Sequence, residues 1–66
     1  MDFIEKAKIR MDHWIGHNEH HREDYEAFAR ELEQAGKPES AKHIREMTAL
    51  TIKSTECLKK ARATLG

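Results

Sequence analysis

The stretch Ala35-Gly36-Lys37-Pro38-Glu39 decides the fold, because it is the one place where the chain brings glycine and proline close together. Glycine just after a helix adopts a left-handed backbone without a Cβ clash, and proline fits the first turn of the helix that follows. Strong helix formers dominate the sequence on both sides. The stretch therefore predicts a tight turn at 36–37, between a first helix over about 3–35 and a second over about 38–64.

Apolar and small residues recur at alternating spacings of four and three in both predicted helices, as in a coiled coil. In the first helix this seam is expected at Ile4, Ala7, Met11, Trp14, Asn18, His21, Tyr25, Phe28, Leu32 and Ala35. In the second it is expected at Ile44, Met47, Thr51, Ser54, Leu58, Ala61 and Leu65, with Leu50 and Cys57 at its edge and Ile15 and Ile52 outside both seams. The pattern predicts an all-α antiparallel helical hairpin in which large residues face small ones.

Gly16 is the one glycine inside the first helix. The phase of the seam does not slip there, so we expect the helix to continue through it. The alternative is a break at Gly16-His17-Asn18, with Asn18 as a new N-cap. At the start of the helix, Asp2 followed by Glu5 fits a capping box.

A chain of 66 residues with 38% hydrophobic residues has little material for a core. Ordering each residue costs about 1.5 kcal/mol, and Cys57 has no partner for an intrachain disulfide. The stabilisers that remain are a metal ion or a second copy of the chain. We therefore expect one domain that forms a homodimeric four-helix bundle. Its expected interface residues are Asn18, which would set the register, together with Trp14, Tyr25, Phe28, Ser54 and Leu58.

Composition weighs against several classes of function. The 12 basic and 12 acidic residues balance, and no aromatic residues interleave with the basic ones, so nucleic-acid binding is not expected. No apolar run approaches the roughly 20 residues of a membrane span. The charged N-terminus is not expected to be a secretory signal, and the single cysteine fits a reducing, cytoplasmic setting. The seam holds no carboxylates for di-iron chemistry, so we do not expect an enzyme.

Four of the five histidines lie within nine residues, at His13, His17, His20 and His21. Intervals of four place the Cβ atoms of His13, His17 and His21 about 5–6 Å from their neighbours on one helix. Imidazole is a preferred ligand of zinc and nickel. The spacing predicts a metal site on His17 and His21, with His13 or Asp24 as the further ligand that the same helix contributes. Cys57 is a further candidate ligand, and a symmetric dimer would double the ligand number.

The alternative is a structural interaction module without metal. The sequence has no HExxH, CxxC or ExxH motif. In this interpretation His21 is a core histidine bonded to Ser54 or Thr51, and Cys57 is a small buried hydrophobe. Two functions stay open: a non-catalytic module that binds zinc or nickel, and an oligomerisation module whose polar seam residues set the register.

The run His13-Trp14-Ile15-Gly16-His17-Asn18-Glu19-His20-His21, followed by Tyr25, resembles the HWIxHNxxH signature of a small uncharacterised prokaryotic helical-hairpin family. Segments of that family are sometimes joined to small nickel-binding proteins similar to those of carbon monoxide dehydrogenase maturation. The positions that carry the resemblance are His13, Trp14, His17, Asn18 and His21, whereas His20 lies outside the pattern. The resemblance implies the hairpin and hints at metal, but it implies no activity.

The histidine stripe predicts a dependence of stability on pH. At about pH 5–6 the stripe gains several like charges within two helical turns, where neighbouring charges repel each other. We predict that the free energy of unfolding falls as the pH is lowered from about 7.5 to about 5. Urea denaturation followed by circular dichroism measures it, and a constant value over that range would contradict a packed stripe.

Overall fold

The computed structural model describes residues 2–66 and contains two helices, α1 (Phe3–Gln34) and α2 (Pro38–Ala63). They run antiparallel and pack against each other, which confirms the predicted all-α hairpin. Each helix ends one residue before its expected position. Because α1 passes through Gly16 without interruption, the alternative of a break at Gly16-His17-Asn18 is wrong. Neither helix has the apolar length that crossing a bilayer requires.

Local hydrogen bonds fix the start of α1 and the turn. The Oδ1 atom of Asp2 accepts a hydrogen bond from the backbone N–H of Glu5 at 2.9 Å. At the other end Gly36 has a φ of 77°, and the N–H of Lys37 donates to the carbonyl oxygen of Leu32 at 2.8 Å. The N–H of Gly36 donates to Glu33, which completes a Schellman motif. Pro38 then opens α2, as the sequence predicted.

The seam between the helices differs from the expected one at most of its alternate positions. In α1 the shielded residues include Lys8, Met11, Ile15, Asn18, Tyr25, Ala29 and Leu32, which follow the four-three spacing except at exposed Arg22, where the expected seam residue His21 is half-buried instead. In α2 they include Ala41, Ile44, Thr48, Thr51, Thr55, Leu58 and Arg62, and Leu65 continues the spacing beyond the end of the helix. Ala29 takes the place expected for Phe28, and Thr48 that of Met47. At 100° per residue, this shift rotates each helix about its own axis by about 50°.

Several predictions about the seam are therefore wrong. Trp14 and Phe28 lie beside the seam and remain 47% and 49% exposed. Ser54 is exposed, and so is Cys57, which was expected to be a buried hydrophobe. Conversely, Ile15 was expected outside the seam and lies within it.

Three residues of the expected dimer interface lie in the seam of the single hairpin, so their role between two copies stays a prediction. Asn18, Tyr25 and Leu58 are half-buried in the seam. Their positions are common to the expected and the observed seams, so the rotation leaves them in place.

Among residues 2–66, the buried side chains are all small, namely those of Ala29, Ala41, Thr48 and Thr55. The hydroxyl groups of the two threonines donate to carbonyl oxygens one turn earlier in α2, at 3.0 and 2.9 Å. Apolar burial stabilises a fold by roughly 0.8 kcal/mol per CH₂ group, so side chains of this size contribute little. The hairpin alone has a thin core.

Gly16 and Gly36 offer a matched pair of substitutions with opposite expected effects. An added Cβ at either position meets no atom within 4 Å. Gly16 lies in a helix interior, so G16A is expected to raise the free energy of unfolding by about 0.5–1 kcal/mol. The left-handed backbone of Gly36 means that G36A is expected to lower it by about 1–2 kcal/mol. Urea denaturation measures both values, and destabilisation by G16A would contradict a continuous α1.

Candidate functional site

One side of the hairpin, which we call the closed flank, is held by ion pairs between the helices. Arg45 Nη2 donates to Glu33 Oε1 at 2.7 Å, and Arg62 Nε donates to Asp12 Oδ1 at 3.0 Å. Lys59 Nζ lies 3.1 Å from Glu19 Oε1. The members of the closed flank are Asp12, Glu19, Glu26 and Glu33, which repeat every seven residues along α1, and Arg45, Lys59 and Arg62 of α2. These pairs are compatible with the observed rotation of both helices.

The Glu33–Arg45 pair has the shortest of these contacts and shifts the acidity of both groups. The hydrogen bond from Arg45 lowers the pKa of Glu33 below its ordinary value of 4.5. The same bond raises the pKa of Arg45. Both side chains remain partly exposed, and exposed ion pairs contribute little to stability.

The opposite side, which we call the open flank, exposes large apolar side chains. Its members are Phe3, Trp14, His17, His21 and Phe28 of α1, and Met47, Leu50, Ser54, Cys57 and Ala61 of α2. Seven-residue spacing places Trp14, His21 and Phe28 in a row across the seam from the acidic row of the closed flank. The α2 half of the open flank contains no charged residue, although 36% of the chain is charged.

A groove of about 260 Å³ lies at the end of the open flank near the chain termini. Its walls are formed by Phe3, Lys6, Ala7, Arg10, Met11 and Trp14. The apolar character of the open flank therefore extends to the end of the hairpin.

His17 and His21 lie together near the middle of the open flank. Their ring centroids are 4.5 Å apart and their planes are inclined by 69°. The His21 ring also stacks on Tyr25, with a centroid distance of 5.7 Å and an interplanar angle of 8°. The spacing of four residues thus produces the expected contact, and Tyr25 provides a support that the sequence reasoning did not assign.

The predicted ligand set is not assembled within one hairpin. Within residues 2–66, no three His, Cys, Asp or Glu side chains converge in a way that could hold a metal ion. The Asp24 carboxylate lies 3.6 Å from His20 Nε2, and the ring of His13 lies 5.7 Å from that of His17. Zinc or nickel binding therefore stays a prediction.

Comparison with known proteins identifies the family of this chain. The model of a family described as "Domain of unknown function (DUF8180)" matches residues 7–65, and the chain belongs to that family. The match includes almost all of both helices and the turn. Neither the curated proteins nor the solved structures give a significant match. Membership agrees with the expected resemblance to an uncharacterised family, whereas the HWIxHNxxH signature and a prokaryotic origin stay predictions.

The lowered pKa of Glu33 predicts how the closed flank responds to acid. A carboxyl group with a lowered folded-state pKa stabilises the fold above its unfolded-state pKa, and this contribution is lost as the pH falls through the folded-state value. We expect E33Q to be slightly less stable than the wild type at about pH 6, and this difference in free energy of unfolding to be smaller at about pH 3. Urea denaturation at the two pH values measures the difference.

The control for this experiment is E31Q. In the part of the chain that the structure describes, Glu31 forms no ion pair. The difference in free energy of unfolding between E31Q and the wild type should therefore change less with pH than the difference between E33Q and the wild type. A difference between E33Q and the wild type that is the same at both pH values would contradict the assigned ion pair.

Proposed function

We propose that this chain is a non-catalytic helical interaction module that pairs with a second copy of itself through the open flank, forming a four-helix bundle. The observation that carries the proposal is the asymmetry of the two flanks. One is held by ion pairs, whereas the other exposes Trp14, Phe28 and Leu50 beside an uncharged stripe of α2.

The shape of the hairpin supports a partner. Its accessible surface is 5060 Å², whereas a compact monomer of this mass has about 4,300 Å². Its radius of gyration is 15.4 Å, against about 11 Å for a compact domain of the same length. The excess surface, roughly 700 Å², is close to the area of about 800 Å² that each partner buries in a standard interface.

The charge distribution favours a second copy as that partner. Basic residues gather near the chain termini, at Lys6, Lys8, Arg10, Lys59, Lys60 and Arg62. Acidic residues gather toward the turn, at Glu23, Asp24, Glu26, Glu31, Glu33, Glu39 and Glu46, but Arg30, Lys37, Lys42 and Arg45 dilute them. The net charge is zero, so two copies of the chain have no overall charge repulsion that opposes pairing.

The substitution L50E tests this proposal. Leu50 is 67% exposed, so a glutamate there leaves the hairpin itself intact. In the proposed dimer the same carboxylate would enter an apolar interface, which should weaken pairing by at least about 2 kcal/mol, roughly thirtyfold in Kd. We expect sedimentation equilibrium at micromolar to millimolar concentrations to show a dimer for the wild type and a monomer for L50E.

The matched control is I9E. Ile9 is 57% exposed, but its helical position lies away from the open flank, so I9E should dimerise like the wild type. Circular dichroism checks that both variants remain helical. The proposal is wrong if the wild type is a monomer over the whole concentration range, or if I9E and L50E weaken pairing equally.

A further inference from the structure

We infer that His17 and His21 from two copies of the chain together bind one divalent transition-metal ion, such as Zn²⁺, where the two open flanks meet. This inference rests on the self-association proposed above. It assigns that interface a ligand and makes the second copy part of the binding site.

The position of the two histidines along α1 is the first argument. The helix runs from Phe3 to Gln34, so its midpoint lies between residues 18 and 19. At a rise of 1.5 Å per residue, His17 and His21 lie about 2 and 4 Å on either side of that midpoint. A two-fold axis that lies between the two open flanks and runs perpendicular to the helices maps the middle of α1 onto the middle of α1 of the second copy. It packs these two helices antiparallel against each other. The histidine pairs of the two copies then meet.

The charges bordering the open flank favour this axis. Arg10, His17, Asp24 and Glu31 repeat every seven residues on one face of α1. Arg10 lies on one side of the midpoint, and Asp24 and Glu31 lie on the other. A perpendicular two-fold axis brings the Arg10 half of one copy against the acidic half of the other. An axis along the hairpin would instead place the two basic ends together, where like charges repel each other.

The geometry of the pair suits two ligands of a tetrahedral ion. Two imidazoles bound to one ion at 2.0–2.1 Å have ring centroids about 5 Å apart. The centroids of His17 and His21 are 4.5 Å apart, which is close to that separation. The stacking of His21 on Tyr25 limits the freedom of one ring before any ion arrives.

The number of ligands makes the second copy necessary. The described part of one chain gathers no group of three possible ligands, and its open flank offers two imidazoles in contact. A structural zinc site requires four ligands, which two such pairs supply. Trp14 and Phe28 lie on the same flank and would exclude water from the site. The Asp24 carboxylate of each copy lies one to two turns away and supplies counter-charge.

Zinc binding to the full chain tests the inference. After removal of metal with a chelator, isothermal titration with zinc chloride should give one Zn²⁺ per two chains. Sedimentation should show that zinc lowers the Kd of the dimer at least tenfold. The double variant H17A plus H21A should lose zinc binding, and the Kd of its dimer should no longer respond to zinc. The matched control H13A plus H20A also removes two histidines, and it should keep the stoichiometry of the wild type.

The same measurements distinguish failure of this site from failure of the dimer. A wild-type dimer that binds no zinc, or that binds it equally well after H17A plus H21A, overturns the metal site and leaves the self-association intact. A monomeric wild type overturns both. Zinc bound by monomeric L50E with wild-type affinity and one ion per chain also overturns the inference, because the site would then need no second copy.

Discussion

The rotation of each helix about its own axis is the constraint on which the rest of this structure depends. A four-three repeat allows two seams, and both contain Met11, Asn18, Tyr25 and Leu32. In the observed one, the acidic row of α1 lies beside basic residues of α2 and forms ion pairs such as Glu33–Arg45. That choice turns Trp14 outward and places His17 and His21 on the open flank.

The fold was predictable from the sequence, because its determinants are local. Gly36 and Pro38 mark the turn through backbone sterics, and Asp2 caps α1 within one turn. The rotation of the helices was mispredicted because large apolar residues were assigned to the seam positions. The informative signal was the acidic row that begins at Asp12 and repeats every seven residues. Charges at that spacing mark the positions that flank a coiled-coil seam.

The candidate site has contacts that helical spacing sets and contacts that depend on how separate helices pack, and the sequence predicts only the first kind. The contact between His17 and His21 follows from helical spacing alone, and so does the pairing of His20 with Asp24. Whether a third ligand joins a pair depends on how separate helices are placed in space. Residue spacing carries no such information, which is why the full ligand set predicted for one chain is not assembled.

The residues buried most deeply in the hairpin are small. Its buried residues are alanines and threonines, larger seam residues such as Met11, Ile15 and Leu58 are half-buried, and Trp14, Phe28 and Leu50 lie outside the seam. In the proposed bundle, side chains of different size fill the space within each hairpin and the space between the two hairpins. Small residues fill the narrow space between the paired helices of one hairpin, and large residues fill the space between hairpins. The apolar surface that one chain leaves exposed then becomes the larger part of the core.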